Sequence, residues 1–267
     1  MTILDDIIKY KRTEELPKVK RRREAAQVQA EAMLAPKPND FVAALKAIER
    51  VSLIAEVKKA SPSKGLLRSK FDPVELGTTY AANGAAAISV LTDAKYFQGR
   101  LDHLSQIGAA LQQSSGQNVP PLLRKDFIFD PYQVYEARAA GAAALLLIAA
   151  VLKDKELADL MALTGRLGLT ALIEVHNRTE LERVLPLEPQ LLGVNNRDLR
   201  DFSVNLNTCI ELRQHVPGSI CFVAESGIRT AADVARLAGE GVDAILVGEA
   251  LVKAKDVGAK VRELAEY

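Results

Sequence analysis

From Val51 onward, short apolar runs alternate with longer stretches in which apolar residues recur every three or four positions. The apolar runs predict strands at Val51–Lys58, Ala86–Leu91, Pro121–Lys125, Ala143–Ala149, Thr170–Val175, Leu191–Asn195, Ile220–Glu225 and Ala244–Gly248. Amphipathic helices are predicted between them at Pro73–Asn83, Pro131–Ala140, Asp154–Leu167, Arg178–Leu185 and Thr230–Ala238. Such alternation is what parallel βαβ units look like in sequence. A weak internal repeat supports it: Ala81-Ala82-Asn83-Gly84-Ala85, Ala139-Ala140-Gly141-Ala142 and Ala238-Gly239-Glu240-Gly241-Val242 each close a helix on glycine and enter an apolar run. Glycine accepts the left-handed conformation that ends a helix. Eight units predict an α/β fold closed into a (β/α)8 TIM barrel. An open doubly wound sheet is the other arrangement, but no G-x-G-x-x-G follows the first strand.

Residues 2–41 differ from the rest, being helical in pattern and dense in charge. Pro36 and Pro38 break this pattern, because proline disfavours helix at the residue before it. The expectation is one domain, with residues 1–45 forming an N-terminal helical extension laid on a barrel of residues 46–267. The run Lys18-Val19-Lys20-Arg21-Arg22-Arg23 is surrounded by Asp5, Asp6, Glu14, Glu15 and Glu24. It therefore reads as a solvated helix face rather than a nucleic-acid or targeting patch.

Composition narrows the function. The 267 residues are 48% hydrophobic and 26% charged with a formal net charge of +1, which excludes wholesale disorder. Only 5% are aromatic and Trp is absent, so stacking platforms and a basic stripe for nucleic acid are missing. Two cysteines, Cys209 and Cys221, make no disulfide framework and show no metal-ligand spacing. The three histidines, His103, His176 and His215, are scattered, so no metal is expected. The first twenty residues show no secretory signal. The longest apolar run, Ala139–Leu152, is bracketed by Arg138 and Lys153 and falls short of the roughly 20 residues that span a bilayer. A cytoplasmic enzyme with no membrane partner is expected.

Strand side chains alternate between faces. In the first strand Val51, Leu53, Ala55 and Val57 form an apolar outer face, which turns Glu56 and Lys58 into the barrel at its C-terminal end. Barrel active sites lie at that end. Lys125 ends the third strand, Glu174 the fifth and Glu225 the seventh, while Asn195 and Arg197 leave the sixth. One Glu-x-Lys pair alone could be a structural ion pair. Five strand ends presenting ionisable or amide groups on one rim argue for catalysis, since unpaired buried charge is costly. A second constellation follows the last two strands: Glu225-Ser226-Gly227-Ile228-Arg229-Thr230 and Val247-Gly248-Glu249-Ala250. Barrels often hold phosphate there, and Gly227 and Gly248 are expected to let backbone approach the ligand. The Ser/Pro/Lys/Gly loop Lys59–Gly65 is a lid or a turn. Phe97 and Phe127 are core residues or a wall for an aromatic substrate.

These residues resemble the indole-3-glycerol phosphate synthase family. The likeness is carried by Ile54-Ala55-Glu56-Val57-Lys58-Lys59-Ala60-Ser61-Pro62-Ser63-Lys64-Gly65, Leu123-Arg124-Lys125-Asp126-Phe127, Leu172-Ile173-Glu174-Val175-His176, Gly193-Val194-Asn195-Asn196-Arg197-Asp198-Leu199 and Ala224-Glu225-Ser226-Gly227-Ile228. It covers essentially the whole chain. It implies a carboxy-lyase of tryptophan biosynthesis, acting on 1-(2-carboxyphenylamino)-1-deoxyribulose 5-phosphate by ring closure, decarboxylation and dehydration. No cofactor is implied, and a monomer is expected. By the family's pattern Lys125 is the general acid at ring closure, and Lys58 meets the substrate carboxylate and serves in dehydration. Glu56 and Glu174 are the candidate bases. Asn195 completes the catalytic set and, with Arg197, holds the hydroxyls and anionic groups; Glu225, Ser61, Phe97 and Phe127 also bind substrate, and Ser226, Gly227, Gly248 and Glu249 bind phosphate. Crowded lysines are expected to have lowered pKa values and desolvated glutamates raised ones. Some relatives carry Asn in place of His176 and Ser in place of Glu249. With the chain ending at Tyr267, no fused phosphoribosylanthranilate isomerase domain is expected.

Three rivals remain at this point. Phosphoribosylanthranilate isomerase needs a Cys base where this chain has Glu56-Val57-Lys58. A Schiff-base lyase would use Lys125 or Lys58 as nucleophile. A non-catalytic phosphosugar-binding barrel would need no chemistry at all.

Overall fold

The computed structural model describes residues 2–114, 119–198 and 202–266. Leu199, the last residue of one motif segment, and Tyr267 lie outside them. Eight parallel strands close into a barrel: β1 Ser52–Val57, β2 Ala87–Leu91, β3 Leu122–Lys125, β4 Ala144–Ile148, β5 Thr170–Val175, β6 Leu191–Asn195, β7 Cys221–Glu225 and β8 Ala244–Val247. Each pairs with its neighbours in sequence, and β8 closes the ring on β1 with Ser52 opposite Ala244. The observed strands fall within the predicted runs, trimmed by a residue or so where ladder pairing stops. Lys58 and Gly248 thus lie just beyond β1 and β8, on the rim.

The alternation of faces yields two cores. Val51, Leu53, Ala55 and Val57 pack outward on the helices with Ala171's neighbours Ile173 and Val175. Ile54, Ala87, Leu123, Leu146, Leu172, Val223 and Leu246 fill the barrel interior. Above this apolar plug the inward positions turn charged, and the plug keeps water from reaching them from below.

The outer helices begin where capping chemistry permits. Asp72 accepts from the amides of Val74 and Glu75 ahead of α5 (Pro73–Ala82). Asp130 and Gln133 form a reciprocal cap at α7 (Pro131–Ala139), as Thr230 and Asp233 do at α11 (Ala231–Gly239). Proline at the first turn of α5 and α7 has no amide to leave unpaired. α6 (Leu101–Ser114), α8 (Asp154–Arg166), α9 (Arg178–Val184), α10 (Asn207–Arg213), α12 (Glu249–Val252) and α13 (Val257–Ala265) complete the outer ring. Among the described residues no helix is long and apolar enough to cross a membrane.

The N-terminal extension travels the height of the barrel. α1 (Ile3–Tyr10) lies at the mouth, where Ile3, Leu4 and Ile7 line the central cavity. A widened π-type turn, Lys11–Glu15, joins it to α2 (Leu16–Arg22). That turn sits just ahead of Pro17, whose ring and missing N–H disrupt regular α-helical bonding to the preceding turn. α3 (Ala25–Leu34) buries Val28 and Ala32 along α7, and the Tyr132 hydroxyl donates to the Arg23 carbonyl at 2.9 Å. α4 (Phe41–Leu45) follows the proline break and plugs the opposite end of the barrel. There Phe41 and Leu45 pack with Ala144, Leu191, Cys221 and Ala244, the residues that open their strands, and the Ser52 hydroxyl donates to Leu45 at 2.6 Å. The basic run is held by acids: Lys18 by Glu14, Lys20 by Asp130 and Arg23 by Glu31.

Candidate active site

The inward-facing ends of the strands open into one cavity of about 390 Å³. All the residues singled out from the sequence line it: Glu56, Lys58, Ser61, Phe97, Lys125, Phe127, Glu174, Asn195, Arg197, Glu225, Ser226, Gly227, Gly248 and Glu249. The loop after β1 forms a small antiparallel ribbon, Ala60–Ser61 against Gly65–Leu66, and carries Ser61, Pro62 and Ser63 to the cavity wall. Opposite, the Phe97 and Phe127 rings stand 6.1 Å apart between centroids at a tilt of 42°. They make the cavity's apolar side.

Charge in the cavity is organised as two linked clusters. Lys58 Nζ lies 2.5 Å from Glu56 Oε2. Lys125 Nζ lies 3.0 Å from Glu225 Oε2 and 3.3 Å from Glu174 Oε2. Glu174 Oε1 in turn faces His176 Nε2 at 3.2 Å. The sequence-based expectation of a lowered lysine pKa is corrected at Lys125. Burial does work to lower Lys125, but the carboxylates of Glu225, Glu174 and Glu56 outweigh it and hold the ammonium above its ordinary value. No second lysine crowds it; carboxylates do. The two glutamates beside it diverge. Burial would raise Glu174, yet Lys125 and His176 together pull it below the usual carboxylate range. Burial pushes Glu225 up to about 7; Lys125 opposes this and the like charge of Glu174 adds to it. Environments that push two carboxyls apart are the ordinary way to separate acid from base.

The last two strand ends make the other wall. Ser226 and Gly227 follow β7 in left-handed conformations, φ +64° and +85°. Asn196 Nδ2 pins this turn by donating to the carbonyls of Glu225 at 3.0 Å and Ser226 at 3.2 Å. The two glycines have reasons beyond ligand approach. A Cβ on Gly227 would meet Val204 Cγ1 at 2.5 Å besides being strained by its φ. A Cβ on Gly248 would run into the Glu56 carboxylate and stand 3.0 Å from Lys58 Nζ, so this glycine makes room for the Glu56–Lys58 pair. Glu249 ties its Oε1 to Lys253 at 2.8 Å, which takes that oxygen along its own helix. Arg197 donates to the Phe202 carbonyl at 3.1 Å and lies 3.8 Å from Glu249, while its amide donates to Asn195 Oδ1 at 3.1 Å.

Several residues at the site were not singled out from the sequence. Gly193, inside β6, has no side chain because the Glu225 carboxylate lies across it. A glycine within an apolar strand is a signal of close approach. Lys11 is buried at the mouth with its ammonium 2.6 Å from Glu15, 2.9 Å from Asp126 and 3.2 Å from Asp93. Asp126 also accepts from Thr92 and Arg124, and its other oxygen accepts from the Phe127 amide. The network thus clamps the segment immediately following Lys125. Asp93 holds the Tyr96 and Phe97 amides in the same way. No local motif announces these partners, because they are far apart in the chain. Among the described residues, no group of three or more His, Cys, Asp or Glu stands where it could hold a metal ion.

Comparison with known proteins follows the same line. A sequence model of the family "Indole-3-glycerol phosphate synthase" matches residues 4–264. An indole-3-glycerol phosphate synthase of Roseiflexus sp. (strain RS-1) is 55% identical over 270 residues, covering 98% of each chain. One of Dehalococcoides mccartyi (strain CBDB1) is 49% identical, covering 94% of this chain and 97% of its own. Among solved structures, a 3-hexulose-6-phosphate synthase superposes with a TM-score of 0.61 at 13% identity, over 81% of this chain and 99% of its own. At that identity the likeness speaks for the barrel alone. With matches of this extent along nearly the whole length, the chain belongs to the indole-3-glycerol phosphate synthase family.

Proposed function

We propose that this chain converts 1-(2-carboxyphenylamino)-1-deoxyribulose 5-phosphate to indole-3-glycerol phosphate, a carboxy-lyase step of tryptophan biosynthesis, with the cavity described above as its site. The observation that carries the assignment of residues is the convergence of Lys125, Glu174, Glu56 and Lys58 on one cavity whose lining also includes Ser226, Gly227 and Gly248. The phosphate sits at that last group, with the hydroxyl of Ser226 and the backbone around Gly227, Gly248 and Glu249. The anthranilate ring lies along Phe97 and Phe127, and Ser61 closes from the first loop.

Lys125 then meets the ketone oxygen. Because it is held protonated, it can donate as the ring carbon bearing the carboxylate attacks the carbonyl carbon; the C–C bond forms as the carbonyl π pair becomes a hydroxyl. The C–CO2 bond breaks, and its electron pair restores the aromatic ring. Lys58, which binds that carboxylate first, protonates the departing hydroxyl. Glu174 or Glu56 takes the proton from the neighbouring carbon, and water leaves. Asn195, Arg197 and Glu225 hold the chain's hydroxyls and anionic groups through these steps. Each acid or base contributes a factor of about 10²–10⁴ in rate. No step needs an external electron sink.

The same charge arrangement argues against a Schiff-base lyase. A nucleophilic lysine must shed its proton, and Lys125 stands among three carboxylates that retain it. The cysteines offer no alternative base, since Cys209 lies on α10 and Cys221 opens β7, both buried. We further propose that residues 1–45 and 46–267 act as one domain, monomeric and cytoplasmic. Among the described residues, the large apolar side chains more than half exposed are Met33, Leu34 and Leu66.

The decisive assay adds the anilino-ribulose phosphate and follows indole fluorescence in the steady state. Product should appear with no added metal or cofactor. Folded protein that yields no signal would be a ligand-binding barrel, and a borohydride-trapped covalent adduct would make it a Schiff-base enzyme.

A further inference from the structure

Beyond β5 the chain turns at His176 and Asn177 into α9, and this turn brings an imidazole up behind Glu174, in a cleft beside the cavity. Its Nε2 faces Glu174 Oε1 at 3.2 Å, and its Nδ1 faces Glu180 Oε2 at 3.1 Å. Ionised carboxylates only accept, so Nδ1 donates to Glu180; Nε2 is buried without a hydrogen-bond partner but has the Glu174 carboxylate 3.2 Å away, a setting that favours a proton on this nitrogen too. Glu180 is itself a fixed anchor. It accepts from the His176 amide at 2.9 Å and from Asn177 Nδ2 at 2.7 Å, and its own amide donates to Asn177 Oδ1 at 2.9 Å. The result is an alternating row, Glu180, His176, Glu174, Lys125, Glu225, running from the backbone of a tight turn into the centre of the cavity.

We propose that His176 is a positioning residue: held as an imidazolium by Glu180, it fixes the Glu174 carboxylate by one oxygen so that the other faces Lys125. This rests on the reading of Glu174 as a base in the proposed reaction. A carboxylate attached only to Lys125 could rotate about its terminal torsions and follow the ammonium when that group engages substrate. Gripped from behind, Glu174 stays in place and ionised while Lys125 donates. The groups facing the pair from neighbouring elements are Lys125 on β3, Glu225 on β7 and Glu56 on β1, with Glu180 on α9 behind the ring. Asp5 of α1, with Arg197 and Asp198 beyond β6, shares the cleft beside it. Burial alone would lower the imidazole's pKa, but the bonds and charges of Glu174 and Glu180 raise it to about 10.

The test combines spectroscopy with kinetics. In the wild-type protein, the ring nitrogens of His176 should keep the 15N shifts of an imidazolium from pH 6 to pH 9; a neutral ring at pH 8 overturns the proposal without any variant. H176N removes the rear cation and so raises the pKa of Glu174. The acid limb of kcat/KM should move up by about one pH unit, and kcat should fall about tenfold with KM within about twofold. E180Q, further from the reaction, should return the imidazole toward its ordinary value and make kcat decline as pH rises through neutrality. A merely structural histidine would lower Tm and leave both profiles unmoved, which refutes the proposal. E174Q separates the two readings. If it is inactive while H176N behaves as wild type, His176 alone is misassigned; if E174Q turns over normally, the base assignment itself is wrong.

Discussion

At the scale of single residues, the site works by giving like groups unlike surroundings. Lys125 is kept charged by its carboxylates, so replacing it with alanine should cost at least about 10² in kcat while the far-ultraviolet circular dichroism stays that of the folded parent. Retention of a tenth of the activity would refute its role as acid. Glu225 shows the opposite balance, its carboxyl raised from an ordinary 4.5 to about 7. A raised carboxyl favours the folded state while protonated, and that contribution fades as pH climbs from the unfolded value through the folded one. Lys125 remains protonated across this range, so the trend belongs to Glu225. The Tm of Glu225→Gln should therefore gain on wild type between about pH 4.5 and pH 7 and hold steady above. A difference that does not vary with pH would contradict the raised value. Ser226→Asp places an anion beside the proposed phosphate and should raise KM far more than it lowers kcat. These rim residues were readable from sequence because a charged side chain ending an apolar strand is conspicuous. Lys11 was not. It lies among other charges in a helical pattern, and nothing nearby reveals that Asp93 and Asp126 will bury it.

Elements were readable to the extent that their signal is local. The alternation of apolar runs and helical stretches located all eight strands, and within the first it also assigned the faces, since a helix-packed outer face must be apolar at every second position. The helical extension and its break at Pro36 and Pro38 were equally plain. What the pattern could not supply was the path of that extension, because the path depends on partners elsewhere in the chain: Tyr132 for α2 and α3, and the strand-opening residues for α4. The wide turn Lys11–Glu15 has a similar standing; it brings Lys11 to the network that clamps Asp126 beside Lys125. Lys11→Met would leave Asp93 buried without its cation and Asp126 with Arg124 alone. Removal of one partner from such a set costs about 3–5 kcal/mol. Denaturant melts should show that loss, and kcat should fall with it because the segment after Lys125 loosens. A variant with unaltered stability would mean that the carboxylates find water instead. Within β6, Gly193→Ala would drive a methyl group into Glu225 and Leu172. Its kcat should drop while a far-ultraviolet spectrum remains that of the parent, and full activity would show that Glu225 has another place to go.

Considered whole, the molecule separates stability from chemistry along the barrel axis. Its lower half is an apolar plug stoppered by Phe41 and Leu45, and its upper half is the charged cavity roofed by Ile3, Leu4 and Ile7. One strap of chain touches both ends. Its attachments span long stretches of sequence: Asn39 donates to the Val119 carbonyl, Arg138 reaches back to Ala35, and Lys11 meets Asp126. During synthesis the strap leaves the ribosome before the barrel, yet most of its docking surface is translated roughly a hundred residues later. α1 and α2 must therefore wait on the nascent chain, their apolar stripes unshielded, until β2 and β3 have been made. Closing such distant contacts comes late and slowly. Pulse-labelled refolding should find amide protection in α1 appearing after that of the barrel strands, and simultaneous protection would contradict it. The segment made before the barrel would then settle after it, and the mouth would acquire its roof only when the strands beneath are already in place.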